Sequence, residues 1–178
     1  VEAYGRLDVM IANAGGGGGP QDVEFWEYPD DAFESVLATN LKSAFYSDRA
    51  AARQFVAQGE GGVIINVASG TAMRGNQAFA YPTAKGGVLS LGKSLATMLA
   101  KQNIRVNTIS GGPLRTMSAM AVGGLNEIMD WVEKKAPLRR NITGPDVGDT
   151  AIWMLSDLSK GVTGQNIYVD AGYSIMGI

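Results

Sequence analysis

The sequence contains no cysteine and no histidine among its 178 residues. Without cysteine there are no disulfides and no thiol nucleophiles, and without either residue the usual zinc ligands are missing. We therefore predict no metal site. The lack of histidine also removes the most common general base, so any acid–base chemistry must come from Asp, Glu, Lys or Tyr side chains.

Basic clusters and long apolar runs are missing as well. With 15 Lys and Arg residues against 17 Asp and Glu residues the formal net charge is −2, and no basic face is evident that could neutralise phosphates. We therefore expect no nucleic-acid partner. No apolar run approaches the roughly 20 residues of a membrane-spanning helix. Residues 1–6 also lack the apolar core of a secretory signal, so we expect no membrane partner and a cytoplasmic protein.

Short apolar runs alternate with longer segments of helical periodicity, which is typical of an α/β protein with a parallel sheet. Buried strands are predicted at residues 7–12, 63–67, 104–108 and 166–169. Helices are predicted at residues 30–55, 81–101, 125–135 and 145–156. The length and the 46% hydrophobic content fit a single domain over residues 1–178.

Five consecutive glycines, residues 15–19, form a candidate phosphate loop. A phosphate loop needs a helix that begins directly after the glycine turn, whereas here Pro20 and polar residues follow. We interpret the glycine run as an active-site loop, with a phosphate cradle as the alternative.

Tyr81 and Lys85 stand four residues apart in a predicted helix, so their side chains share one face. An ammonium beside a phenol favours the phenolate, which predicts a lowered Tyr81 pKa and a tyrosine able to give or take a proton. Ser69 follows a predicted strand, where parallel sheets place their sites, and its hydroxyl could hold the oxygen that Tyr81 protonates. The alternative is an interfacial tyrosine and a solvated lysine that share a face.

Asn40 interrupts the apolar stripe of the predicted helix 30–55, between Leu37 and Leu41. A buried amide satisfied by neighbouring backbone would explain it, and so would a functional role.

These residues together resemble the short-chain dehydrogenase/reductase family. The resemblance rests on segments that follow the family's order: LDVMIANAG at 7–15, TNL at 39–41, IINVAS at 64–69, YPTAK at 81–85, RVNTISGGPLRT at 105–116 and VDAGY at 169–173. It implies a Rossmann-like, doubly wound parallel sheet and an enzyme that uses NAD(H) or NADP(H), which the sequence does not distinguish.

The resemblance also implies a role for each matching residue. Tyr81 would be the acid/base, Lys85 would lower its pKa and bind the nicotinamide ribose, and Ser69 would orient the carbonyl. Asn40 would complete a proton relay. The residues expected to line the cofactor are Asn13, Ala14, Gly15, Tyr81, Lys85, Gly112, Pro113, Leu114 and Thr116.

The family fold begins with a strand, a glycine-rich phosphate turn and further βα units before the segment that corresponds to residues 7–15. No such turn between a strand and a helix is found here, so we expect a partial Rossmann-like domain that lacks the first βα units. The strand at 7–12 would then be an exposed sheet edge. By resemblance, we also expect a homodimer or homotetramer formed through the two long helices.

The C-terminal third resembles bacterial enoyl-acyl-carrier-protein reductases at residues 110–116, 136–140 and 146–150. Residues 117–120 contain two methionines, which would suit an acyl chain or would pack as an ordinary helix. Those reductases place a tyrosine seven residues before the lysine, where this chain has Ala78. We therefore predict carbonyl/secondary-alcohol interconversion, with 3-oxoacyl thioesters as the leading substrates. The alternatives are enoyl reduction and an inactive fragment that serves as an oligomeric scaffold.

Overall fold

The computed structural model describes residues 1–20, 22–73, 78–120 and 123–176, which form a four-stranded parallel sheet. The strands lie side by side in sequence order: β1 (Val9–Ala12), β2 (Gly62–Val67), β3 (Ile104–Gly111) and β4 (Asn166–Val169). All four predicted strands are confirmed. β1 begins at Val9 instead of Leu7, and β3 continues past Thr108 to Gly111.

Helices connect the strands. They are α1 (Asp30–Leu37), α2 (Ser43–Gln58), α3 (Ala80–Leu99), α4 (Met117–Met120), α5 (Leu125–Lys135) and α6 (Gly144–Leu155). The helix predicted over 30–55 is confirmed in extent, but its middle, Ala38–Lys42, is π-helical and separates the α-helical segments α1 and α2. Neither Asp30 nor Asp31 caps α1. Pro29 precedes that helix without a side-chain cap, and both carboxylates lie in the first turn, where they favour the helix dipole.

Helices cover both faces of the sheet, which explains why three successive residues of the central strand β2, 64–66, are all buried. Ile64 packs on one face in a cluster with Phe55 of α2 and Ala96 of α3. The next residue, Ile65, packs on the other face with Met154 of α6. Each such fully buried aliphatic side chain contributes about 1.5–3 kcal/mol to folding. The predicted doubly wound, Rossmann-like α/β fold is confirmed.

β1 forms one edge of the sheet described here, since it pairs with β2 on one side. Ile11 of this strand is 42% exposed, as expected for an apolar edge strand without a cover. None of the helices in the described part of the chain is long and apolar enough to cross a lipid bilayer.

Candidate active site

The carboxyl ends of β1, β2 and β3 lie together, and they bring the predicted site residues to the edge of the sheet that these strand ends form. The glycine run follows β1, Ser69 follows β2, and residues 112–116 follow β3. The three segments are in contact. A Cβ placed on Gly70 would lie 3.5 Å from the Gly111 carbonyl oxygen, and one placed on Gly16 would lie 3.5 Å from the Ser118 Oγ.

Lys85 is the buried charge at this edge, with only 3% of the residue exposed. Its Nζ donates a 2.8 Å hydrogen bond to the Val67 carbonyl oxygen at the end of β2. Burial disfavours the ammonium and lowers the pKa of Lys85 to about 8. The same Nζ lies 5.8 Å from the centroid of the Tyr81 ring, so the two side chains share one face of α3, as predicted.

Tyr81 is half-buried at the start of α3 and is hydrogen-bonded to the Ser69 side chain. Burial raises the pKa of Tyr81 above its ordinary value of 10.0, and the Ser69 hydrogen bond opposes that rise. The predicted lowering of the Tyr81 pKa by Lys85 is therefore wrong for this structure. Desolvation of the phenol outweighs the contacts that favour the phenolate.

Thr71 is a site residue that the sequence pattern does not predict. Its Oγ1 lies 2.9 Å from the Ser69 Oγ, and its backbone N–H donates to the same oxygen at 3.3 Å. It lies in the short 3₁₀ turn Gly70–Met73 that follows β2. A hydroxyl residue two positions after Ser69 in a turn is the signal that could have found it, because Ser and Thr side chains bond locally in such turns.

Asn40 is 1% exposed in the π-helical segment, and backbone groups satisfy its amide. Its Oδ1 accepts from the Gly16 N–H at 3.0 Å, and its Nδ2 donates to the carbonyl oxygens of Gly16 and Val36, each at 3.0 Å. The interpretation as a buried, satisfied amide therefore holds. The same hydrogen bonds hold the start of the glycine run next to Lys85. Asn40 therefore also lies at the site.

The glycine run is a loop that contacts Asn40, and in the described residues after it the first helical segments are a 3₁₀ turn, Phe25–Glu27, and then α1 from Asp30. The phosphate-cradle alternative thus lacks the helix N-terminus on which it depends. Before the run, Asn13 and Ala14 are exposed at the open edge of the sheet.

Gly15 lies close to two polar side chains of the site. A Cβ on it would lie 2.7 Å from the Asn40 Oδ1 and 3.0 Å from the Lys85 Nζ. We expect Gly15→Ala to lower the free energy of unfolding by about 1–3 kcal/mol, because one of these groups must move. Gly18→Ala is the matched control, since its Cβ would lie an ordinary 3.5 Å from the Val36 Cγ2. Urea unfolding of both variants checks this, and equal stability would contradict the close approach.

The turn after β3 is fixed by its neighbours. The Gly112 N–H donates to the Val169 carbonyl oxygen at 2.9 Å, and a Cβ on Gly112 would lie 2.8 Å from the Asp170 Cβ. The Thr116 Oγ1 accepts from the Ala119 N–H at 3.1 Å and so begins α4. The two other predicted cofactor residues of this turn, Pro113 and Leu114, are half-buried.

The short helix α4 extends from this turn with its methionines outside the core. Met117 is 81% exposed and Met120 is 51% exposed. Ordinary helix packing, one of the two interpretations of residues 117–120, therefore does not account for them.

The Lys85 ammonium keeps hydrogen-bonding capacity beyond its bond to the protein backbone. An ammonium has three N–H donors, and within the described residues Lys85 uses one of them, on Val67. The remaining donors lie close to the Tyr81 ring and the exposed backbone after β1. Among the described residues no group of three or more metal-ligating side chains is assembled.

A family profile described as Enoyl-(Acyl carrier protein) reductase matches residues 1–174. The chain belongs to the short-chain dehydrogenase/reductase family. The NADH-dependent enoyl-acyl-carrier-protein reductase of Synechocystis is 37% identical over 99% of the chain and 68% of the relative. The family resemblance derived from the sequence motifs is thereby confirmed.

Solved structures agree with this assignment. The enoyl-acyl-carrier-protein reductase of Bacillus cereus, crystallised with NADP⁺ and an indole naphthyridinone, superposes with a TM-score of 0.89 at 35% identity. Acetoin dehydrogenase from Enterobacter cloacae gives 0.83 at 30% identity. Each comparison covers 99% of this chain but 68% of the solved chain, so the chain spans about two thirds of these relatives. The name of the Synechocystis relative specifies NADH, and the Bacillus cereus structure contains NADP⁺. The prediction of an NAD(P)-dependent oxidoreductase is confirmed, and the choice between NAD(H) and NADP(H) stays open as the sequence left it.

Proposed function

We propose that this chain carries the proton-transfer half of an NAD(P)-dependent oxidoreductase that interconverts a carbonyl and a secondary alcohol. The observation that carries the proposal is the grouping of Ser69, Tyr81 and Lys85 at one sheet edge, with the Lys85 Nζ 5.8 Å from the Tyr81 ring centroid. The bound nicotinamide would supply or accept the hydride.

In this proposal each side chain has a separate task. Tyr81 gives its phenolic proton to the oxygen of the substrate carbonyl, and Ser69 donates a hydrogen bond to that oxygen. Lys85 binds the ribose hydroxyls of the cofactor and, while charged, favours the phenolate that proton transfer leaves. With a pKa of about 8, the Lys85 ammonium loses this charge as the pH rises through that value.

Asn40 acts in this proposal by holding the glycine run, with Asn13, Ala14 and Gly15, beside Lys85. On the other side, Gly112, Pro113, Leu114 and Thr116 would line the nicotinamide. The hydrogen-bonded backbone of Gly112 supports this role, since a rigid backbone segment can hold the nicotinamide ring in one orientation.

We favour 3-oxoacyl thioesters as substrates. A carbonyl oxygen needs a hydrogen-bond donor beside the acid, and Ser69 supplies one next to Tyr81. The exposed methionines of α4 offer an apolar surface to an acyl chain near the turn after β3. The second candidate is enoyl reduction, which the descriptions of the family profile and of the Synechocystis relative favour. Ala78 weighs against it, because this position offers no hydroxyl seven residues before Lys85.

Paired substrates test the choice. The chain is given a 3-oxoacyl thioester or the 2-enoyl thioester of equal length, and loss of nicotinamide absorbance is followed with NADH and with NADPH. We expect turnover of the 3-oxoacyl thioester. Turnover of the enoyl thioester alone would replace carbonyl reduction by enoyl reduction, and turnover of neither would favour the scaffold alternative.

We also infer that the chain self-associates through α2 and α3. An apolar groove runs between these helices and is lined by exposed or partly exposed side chains, including Phe45, Val56, Leu95 and Met98. Such contiguous apolar surface is typical of interfaces. The mass in solution checks this, with a dimer or tetramer expected and a monomer contradicting it.

A further inference from the structure

Three hydroxyl side chains form a row at the candidate site. Ser69 is in the middle, with its Oγ 2.9 Å from the Thr71 Oγ1 on one side and with a hydrogen bond to Tyr81 on the other. The Thr71 backbone N–H also donates to the Ser69 Oγ, at 3.3 Å. The Ser69 hydroxyl therefore has three hydrogen-bonding groups around it: the Tyr81 phenol, the Thr71 hydroxyl and the Thr71 N–H.

The hydrogen-bonding capacity of the Ser69 hydroxyl limits which of these bonds it can make at the same time. A hydroxyl has one proton to donate and two lone pairs that accept. The Thr71 N–H can only donate, so it occupies one lone pair of the Ser69 oxygen. One proton and one lone pair remain for Tyr81 and for the Thr71 hydroxyl.

The protonation state of Tyr81 then decides which hydroxyl donates and which accepts in each hydrogen bond of the row. When Tyr81 is a phenol, its O–H can donate to Ser69, and Ser69 donates to the Thr71 Oγ1. When Tyr81 is a phenolate it has no proton, so Ser69 must donate to it, and the Thr71 O–H must turn to donate to Ser69. The contact between Ser69 and Thr71 permits both directions, since either oxygen can be the donor.

We propose that Thr71 is a positioning residue, whose hydroxyl donates to Ser69 and so commits the Ser69 proton to the oxygen of Tyr81 or of the substrate. The proposal rests on the proposed function, in which Tyr81 is the acid/base. Thr71 touches neither reacting atom and acts through Ser69. Hydrogen bonds in a row polarise one another, so the last donor strengthens the bond from Ser69 to the phenolate.

The test compares two substitutions of this residue. Thr71→Val keeps the branched shape and the backbone N–H but removes the hydroxyl, whereas Thr71→Ser keeps the hydroxyl. We expect Thr71→Val to lower kcat for the 3-oxoacyl thioester about tenfold with KM changed less than about twofold, and Thr71→Ser to stay within about twofold of the parent in both. A thermal unfolding curve shows whether each variant folds.

A second readout needs no turnover. Absorbance of the phenolate is titrated against pH, and the signal of Tyr81 is isolated by subtracting the titration of the Tyr81→Phe variant made in the same background. We expect Thr71→Val to raise the pKa of Tyr81 by about half a unit relative to the parent and to Thr71→Ser, because the phenolate loses support.

The outcomes separate the two proposals. If the parent turns over no substrate but the pKa of Tyr81 rises in Thr71→Val and not in Thr71→Ser, the role of Thr71 is supported and the proposed reaction is contradicted. Equal pKa values for Tyr81 in the parent and in folded Thr71→Val overturn the role of Thr71. Equal losses in Thr71→Val and Thr71→Ser overturn it too, because packing alone would then explain the effect.

Discussion

We expect the Tyr81→Phe variant to lose about a thousandfold in kcat for the 3-oxoacyl thioester, the size of effect typical for removing a general acid. The substitution deletes one oxygen and leaves the half-buried ring, so the packing of α3 and the contact with Lys85 persist. Affinity for the cofactor and the midpoint of thermal unfolding should therefore change little. Steady-state kinetics with both nicotinamide cofactors, together with a thermal unfolding curve, measure this.

Tyr4→Phe is the matched control, because Tyr4 is 90% exposed and lies outside the site. It should leave kcat unchanged. If Tyr81→Phe keeps more than about a tenth of the parent kcat, the proton comes from another group and the assignment of Tyr81 fails.

Above neutral pH, we expect Asp48→Asn to raise the free energy of unfolding by about 2 kcal/mol. Asp48 of α2 is 1% exposed, and its Oδ2 accepts a 2.9 Å hydrogen bond from the Asn66 Nδ2 of β2. Within the described residues, the Oδ1 atoms of both side chains lack a hydrogen-bond partner. Burial raises the pKa of Asp48 from 3.8 to about 6.

The sign of the pH dependence follows from this raised value. Between about pH 4 and pH 6 the folded chain holds a proton on Asp48 that the unfolded chain has lost, so stability falls as the pH rises through this window. Above it, the folded chain contains a buried carboxylate. An asparagine at position 48 has no charge to bury, and its amide N–H can donate to the free Asn66 Oδ1.

Urea unfolding of the parent and of Asp48→Asn at pH about 4 and about 8 measures the difference. The gain should be present at the higher pH and nearly absent at the lower. Asp130→Asn, at an exposed carboxyl on α5, controls for the loss of one negative charge. Asp48→Ala should destabilise at both pH values, because the buried Asn66 Nδ2 loses its acceptor. A gain from Asp48→Asn that does not vary with pH would contradict the raised pKa.

Much of the fold is predictable from the sequence because buried strands contain short apolar runs. β2 carries this signal at residues 63–65, and α5 begins and ends where its apolar period and the following Pro137 predict. The break between α1 and α2 is not predictable in this way. One π turn leaves the helical period on either side almost intact, and only Asn40 on the apolar stripe indicates a local irregularity.

The candidate site was predictable where residues adjacent in sequence carry it. Tyr81 and Lys85 share a face because α3 fixes their spacing. The shift in the Tyr81 pKa was not predictable, since it depends on how much water the fold removes from the phenol. The contact of Asp48 with Asn66 likewise depends on how α2 packs over β2, and no local spacing encodes that.

The central claim is that the sheet edge around Lys85 binds a nicotinamide cofactor, and equilibrium titration of the chain with NADH and NADPH tests it most directly. Nicotinamide fluorescence or heat reports binding without any substrate. We expect saturable binding of at least one cofactor, weakened about tenfold or more in Lys85→Met, because the buried ammonium would no longer donate to the ribose hydroxyls. No binding at millimolar cofactor, or equal binding by parent and variant, would contradict the claim.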